Sequence, residues 1–148
     1  MMGTNKELVR RFFEEVWNRG RLETIDEIYA DGYLFHPLFP TAAGDMDGEA
    51  RKRFIAAYLN AFPDVHFTVE DQIGSGDLVV TRWTATGTHK GELMGVSPSG
   101  PLGSPGITTG IDIARIADGR IAEVWGCFDM LGMLEPVSYT HLTLPTTE

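Results

Sequence analysis

Apolar residues recur with a helical period near the start of the chain. Leu8, Phe12 and Val16 fall four apart, with Val9, Phe13 and Trp17 alongside, which is the stripe of an amphipathic helix. Thr4 followed three residues later by Glu7 is a capping-box pattern, and Asn18-Arg19-Gly20 supplies the stop. Leu22, Ile25, Ile28 and Tyr29 predict a second, short helix, and Tyr33-Leu34-Phe35 a short strand halted by His36-Pro37. Residues 40–47 read as a loop ending on Asp47. That residue can cap a third helix, in which Phe54, Tyr58 and Phe62 align with Ile55 and Leu59.

After Pro63 the period changes from helical to strand-like. Val65, Phe67, Val69 and Ile73 lead into the turn Gly74-Ser75-Gly76-Asp77, and Leu78 to His89 is a long strand rich in Val, Thr and Trp. The Gly- and Pro-dense stretch from Gly91 to Gly106 predicts a mobile connection. Ile107–Ile116 and Arg120–Phe128 are two more strands joined by Asp118-Gly119, a strong hairpin signal. Helices first and an antiparallel meander afterwards predict an α+β fold. The helices would cover one face of a curved sheet, and the mouth of the resulting cone is a natural pocket.

Length and charge narrow the functions. At 148 residues the chain fits one domain, able to bury about 70% of its unfolded surface and so to hold a core and a pocket. A net charge of −9 argues against a nucleic-acid partner. The lack of a Lys/Arg cluster argues against an anionic membrane surface. No signal peptide and no spanning apolar stretch are visible. The single cysteine, Cys127, excludes an intramolecular disulfide, which suits a cytoplasmic location.

The end of the chain reads differently. Residues 136–147 are rich in Thr and nearly uncharged. Val137-Ser138-Tyr139-Thr140-His141-Leu142 and the Thr-Leu-Pro-Thr that follows resemble a translated sequencing adapter. The expected organisation is therefore a single domain over 1–135 and a non-native tail over 136–148, so Tyr139 and His141 are left out of functional reasoning.

The C-terminal hairpin gathers the candidate chemistry. With Asp118-Gly119 as a two-residue turn, Ile116 faces Ile121, Asp112 faces Trp125, and Thr108 faces Asp129. Side chains alternate with period two, so this register puts Asp112, Trp125, Cys127 and Asp129 on one face with Ala114 and Ile116. A carboxyl against apolar walls holds its proton to higher pH. Such a group can contribute on the order of 10²–10⁴-fold as a general acid or base. Asp129 also precedes Met130-Leu131-Gly132-Met133-Leu134, where Asp is a good helix cap. Asp112 can equally face solvent, Trp125 can be core, and Cys127 reads as a small buried hydrophobe.

Several phrases resemble one family. They are Thr86-Gly87-Thr88-His89-Lys90-Gly91-Glu92-Leu93-Met94-Gly95, Pro98-Ser99-Gly100, Gly110-Ile111-Asp112-Ile113, Asp118-Gly119-Arg120-Ile121-Ala122-Glu123-Val124-Trp125, and Asp129-Met130-Leu131-Gly132-Met133-Leu134. In this order and spacing they resemble the SnoaL-like polyketide cyclases, or ester cyclases, of the nuclear transport factor 2-like superfamily, over about Asn5 to Glu135. The resemblance implies a cone-shaped curved antiparallel sheet packed on three N-terminal helices, assembled as a homodimer or homotetramer. It implies ring closure by intramolecular aldol condensation on an aromatic polyketide ester, and so a small hydrophobic or aromatic carbonyl ligand for this chain, with no cofactor and no metal. An Asp at the end of the last strand serves such cyclases as general acid/base, and it matches Asp129. His36 matches a histidine placed after the first short strand, where it can line the pocket mouth and polarise a carbonyl, or simply pack before Pro37. Trp83 and His89 are further pocket candidates whose face the Gly74–Asp77 turn leaves open.

The chain departs from the family at Pro101-Leu102-Gly103-Ser104-Pro105-Gly106, where relatives carry a basic and β-branched residues, and it lacks their Gln-Leu-Gly ending. Other chemistries fit less well. A ketosteroid isomerase-like site wants a Tyr on the first helix, which offers Phe12, Phe13 and Trp17. An epoxide hydrolase-like site wants Arg two positions before the strand Asp, where this chain has Gly110. His36, His66 and His89 lack a paired metal-ligand spacing, and Cys127 lacks a His partner on its strand. The rival from another class is a non-catalytic binding module in which Asp129 is a cap or an acceptor for a bound apolar molecule.

Overall fold

The computed structural model describes residues 4–38, 44–93 and 105–129. Helix α1 spans Asn5–Arg11, and Thr4 and Glu7 exchange both capping-box hydrogen bonds. The next six residues, Phe12–Trp17, wind as a π-helix, and the Asn18 N–H reaches back to the Phe13 carbonyl at 3.0 Å. An ordinary helix was the expectation there. The wider turn buries Phe12, Phe13, Val16 and Trp17 together, a broader apolar face than a regular α-helix gives.

Helix α2 (Thr24–Ile28) leads directly into strand β1 (Tyr29–Pro37). The strand is longer than its three strongest residues suggest. A two-residue strand, β2 (Met46–Asp47), pairs with it inside the stretch read as loop. Helix α3 (Gly48–Ala61) follows, and Asp47 caps it by accepting from the Ala50 N–H at 2.9 Å.

The rest is the anticipated meander. Strands β3 (His66–Ser75) and β4 (Leu78–Thr88) meet at Gly76-Asp77, and β5 (Pro105–Ala117) and β6 (Arg120–Phe128) at Asp118-Gly119. In the second turn Asp118 and Gly119 both adopt positive φ, 51° and 74°, as a tight hairpin of this hand requires. β5 begins at Pro105, two residues before the expected Ile107. Most of the connection read as mobile, residues 94–104, and the expected tail at 136–148 lie outside the described residues.

The six strands run in the order β2-β1-β6-β5-β4-β3. All neighbours are antiparallel except β1 and β6, which are parallel. The helices pack on one face of the sheet. Along β4 every second side chain from Val79 to Ala85 is buried there, and Phe13, Trp17, Ile28 and Ile55 come from the helical side. No helix of the described residues is long and apolar enough to cross a membrane.

One register expectation is corrected. The β5–β6 pairing follows the turn through Ile116↔Ile121 and then slips, because Ala122 is an extra residue and Arg115 pairs with Glu123. Asp112 therefore faces Gly126 rather than Trp125, and Thr109 rather than Thr108 is aligned with Asp129. A one-residue bulge exchanges the faces of everything beyond it. Asp112 shares the helix-covered face with Ala114, Ile116 and Val124, and it does not share a face with Trp125, Cys127 and Asp129.

Candidate functional site

Between the helices and the covered face of the sheet lies a small cavity, with about 60 Å³ open to the centre of a water-sized sphere, that opens to solvent at its mouth. Its walls are chiefly aromatic: Phe13 and Trp17 from the π-helical turn, Phe54 and Tyr58 from α3, and Phe67 and Trp83 from the sheet. Trp17 stacks on Phe67 at 4.6 Å between ring centroids, and Trp83 tilts against Phe67 at 4.8 Å. These contacts fix the rings before any ligand arrives.

Two charged side chains interrupt the apolar lining. Asp112 is 8% exposed. Its Oδ1 accepts a long hydrogen bond from Trp83 Nε1 at 3.4 Å. Burial pushes its carboxyl up to about 6, against the opposing pull of the Arg51 charge and the Trp83 bond. Arg51, on α3, is 7% exposed. Its guanidinium carbon lies 3.9 Å from the centroid of Phe35, 5.1 Å from Phe54 and 6.0 Å from Phe12, a nest of cation–π contacts. The Tyr58 hydroxyl is buried in the same wall without a hydrogen-bond partner, and burial raises its pKa.

Two glycines make room for this arrangement. Gly110 stands opposite Trp83 on the adjacent strand. A Cβ there would come within 2.2 Å of the indole and 2.6 Å of the Cys127 carbonyl oxygen. At Gly126 a Cβ would lie 2.6 Å from Asp112 Oδ1 and 3.1 Å from the Phe35 ring. Glycine inside a strand often marks such a close approach. Here one glycine seats the indole and the other seats the carboxylate.

The sequence-predicted residues separate into groups. Asp112 and Trp83 meet in the cavity. Trp125 and His36 meet on the opposite face of the sheet, their rings stacked 5.4 Å apart. His36 bridges two carboxylates, with Nε2 2.6 Å from Glu123 and Nδ1 2.9 Å from Asp45. Its pKa is raised, first by Glu123, while Glu123 is lowered by His36 and then by its bond with Arg115. His89 is buried against Phe62, centroids 5.0 Å apart, and neither ring nitrogen is hydrogen-bonded. It packs beside a residue that borders the cavity and is not itself among the cavity's lining residues.

Asp129 is exposed at the end of β6, one residue beyond Phe128 in the cavity wall. Its N–H donates to the Thr109 carbonyl at 3.0 Å, and the Thr108 hydroxyl donates to its carbonyl at 2.6 Å. Cys127 is half-buried and borders the cavity. Among the described residues no group of three or more His, Cys, Asp or Glu is placed to hold a metal ion.

Sequence reasoning missed Arg51, Tyr58 and the two glycines as site residues. A signal for Arg51 existed. It falls on the stripe shared by Ile55 and Tyr58, and a cation on the apolar face of a helix requires a reason. Gly110 and Gly126, inside β-branched strands, carried another.

The family model for SnoaL-like polyketide cyclases matches residues 7–136. IdmH of Streptomyces antibioticus, proposed to be a polyketide cyclase, is 33% identical with a TM-score of 0.77, over 89% of this chain and 96% of its own. AclR of Streptomyces galilaeus, proposed to be a hydroxylase, is 26% identical with a TM-score of 0.76, over 98% and 100%. A Catenulispora acidiphila protein with a ketosteroid isomerase-like fold, 17% identical with a TM-score of 0.69 over 88% and 92%, shares the architecture. No curated protein sequence matches.

Proposed function

The chain belongs to the SnoaL-like polyketide cyclase family, and from that premise we propose that it closes a ring in a small, largely apolar carbonyl substrate by cofactor-independent general acid/base catalysis. The observation that carries this reading is the buried carboxyl of Asp112, held near a pKa of 6 on the floor of an aromatic cavity. Near neutral pH such a group is ionised in useful proportion, and it still returns a proton readily.

In an intramolecular aldol closure the Asp112 carboxylate takes a proton from the carbon beside one carbonyl. The resulting enolate carbon bonds to the second carbonyl carbon, and the electron pair moves onto its oxygen. The Asp112 acid then gives the same proton to that alkoxide. The group ends as it began, and no electrons are gained or lost. The Tyr58 hydroxyl, buried and without a partner, is available to donate to the oxygen on which charge develops. The aromatic walls exclude water and hold the chain folded on itself.

Asp129 takes a second place at the rim. The family resemblance assigns it the acid/base role, and its exposure argues for the interior carboxyl instead. Paired variants decide between them. Asp112→Asn is expected to lose turnover of ring-closing carbonyl substrates on the order of 10²–10⁴-fold, together with the ionisation near pH 6 in the rate profile. Turnover that survives in Asp112→Asn but is lost in Asp129→Asn would transfer the role to the rim. Ligand binding without turnover in the unaltered protein would make the domain a binding module.

A further inference from the structure

Asp112 has a cation beside it that does not pair with it. Arg51 and Asp112 line the aromatic cavity together, and both also line a smaller neighbouring cavity that reaches Tyr29, Tyr33 and Val124. Phe35 touches the two of them. Its face carries the guanidinium carbon at 3.9 Å, and its edge shares with Asp112 Oδ1 the space above Gly126. None of the ion pairs among the described residues joins Arg51 to Asp112. Among the described residues lining either cavity, Arg51 is the one cation and Asp112 the one carboxylate. The other titratable neighbours are Tyr58 of α3, Tyr29 and Tyr33 of β1, and Cys127 of β6. Burial raises the three tyrosines, so they stay neutral. Trp83 of β4 offers only its N–H.

The spacing between cation and acid has chemical consequences. A carboxylate paired directly with a guanidinium is strongly acidic, and the pairing occupies its oxygens. A buried carboxyl with no cation near it keeps its proton well above its ordinary range. Asp112 stands between these limits, because the charge of Arg51 reaches it and the hydrogen bonds of Arg51 do not. A substrate that fills the cavity displaces water and favours the neutral acid further. The base form must then be supported from inside the protein. We propose that Arg51 is a positioning residue for the reacting acid: held against Phe35, its charge keeps the Asp112 carboxylate available as a base and leaves an oxygen free for the substrate. This deepens the reading of Asp112 as the acid/base and rests on it.

The test follows the titration of Asp112 itself by NMR, with aspartate labelled with carbon-13 at the carboxyl and Asp112→Asn identifying the signal. In the parent the midpoint is expected at about 6. In Arg51→Met it should rise to about 7 or higher. Arg51→Gln, which stays polar and loses the charge, should rise alike, and this separates charge from packing. Arg82→Met, at an exposed pair with Asp71, should leave the midpoint within about 0.3 of the parent's, because that charge is screened by solvent. Circular dichroism checks that each variant is folded. Turnover should follow the same shift. A midpoint moved from about 6 to about 7 lowers the ionised share about five-fold at pH 6 and hardly at all at pH 8. In Arg51→Met, kcat/KM should therefore fall about five-fold at pH 6 and stay within about two-fold at pH 8. A loss through packing alone would be equal at both.

A midpoint within about 0.3 of the parent's in folded Arg51→Met or Arg51→Gln, or one that moves as far in Arg82→Met, would overturn the proposal. The two readings fail separately. A midpoint that rises where no turnover depends on Asp112 keeps the role of the Arg51 charge and removes ring closure. Turnover that depends on Asp112 beside an unmoved midpoint does the reverse.

Discussion

Asp112 and Glu123 sit on adjacent strands of one sheet, and each has an arginine nearby, yet their acidities move in opposite directions. Asp112 faces the helices, buried among aromatic rings, with one long hydrogen bond. Glu123 faces away from them, accepting from His36 at 2.6 Å and from Arg115 at 3.1 Å. Burial raises the first, and hydrogen bonds lower the second. A carboxylate becomes a proton carrier where the fold withholds partners, and a structural tie where it supplies them. What separates the two environments is Ala122, the extra residue that puts the acids on opposite faces.

The sharpest way to break this comparison is to remove each charge in turn. Asp112→Asn should lower kcat/KM on the order of 10²–10⁴-fold, and Glu123→Gln should change it by less than about three-fold, being outside the reacting cavity. Equal losses in steady-state assays would show that the two faces are not functionally distinct.

Next in size is the space the glycines leave. Gly110→Ala should destabilise the fold by about 3 kcal/mol, because one of the atoms it meets is a main-chain oxygen that cannot swing aside. Gly126→Ala should cost about 1–3 kcal/mol, since the Asp112 carboxyl it displaces is a side chain. Urea denaturation midpoints rank the two.

The inner carboxyl also makes stability depend on pH. Its folded pKa of about 6 lies above its ordinary 3.8, so the folded state holds the proton longer. The associated stability is complete below about pH 4 and is lost as pH rises through about 6, a change of up to about 3 kcal/mol. Asp112→Asn should flatten this window and leave the protein more stable than its parent at pH 8. A parent whose denaturation midpoint is flat between pH 4 and 7 would contradict the burial argument.

The smallest effect belongs to the outer face. His36 is raised above 6.5 and Glu123 is lowered below 4.5. The His36 contribution is therefore present below pH 6.5 and lost as pH rises through its folded pKa. That of Glu123 is present above 4.5 and lost as pH falls through its own. His36→Gln should lower Tm by roughly 2–4 °C near pH 6 and hardly at all at pH 9. Scanning calorimetry at the two values checks it.

Much of the fold was legible because its signals are local. The Thr4–Glu7 box, the Asp47 cap and the Asp118-Gly119 turn are each decided by a few neighbouring residues, and all three form as expected. The parallel partnership of β1 with β6 was not legible, because it joins segments far apart in the chain and no turn announces it. The register was legible only as far as Ile116↔Ile121. Beyond that, one bulged alanine, which looks like any other strand residue, turned Trp125 off the face that Asp112 keeps. The site was half legible for the same reason. Asp112 and Trp83 were singled out, but their companion Arg51 comes from a helix packed across the sheet, and its cavity exists only once the helices are in place.

The two glycines under the cavity floor also limit how the pocket can change. A sheet position without a side chain can only grow, and growth at Gly110 or Gly126 collides with the indole or with the acid itself. Ligand range must then be altered from the other side, through Phe54 and Phe62 on or just after α3, where rings can be trimmed or enlarged without touching the floor. The domain thus divides into a fixed plate that carries the acid and an adjustable lid of aromatic side chains. Redesign for new substrates should begin with the lid.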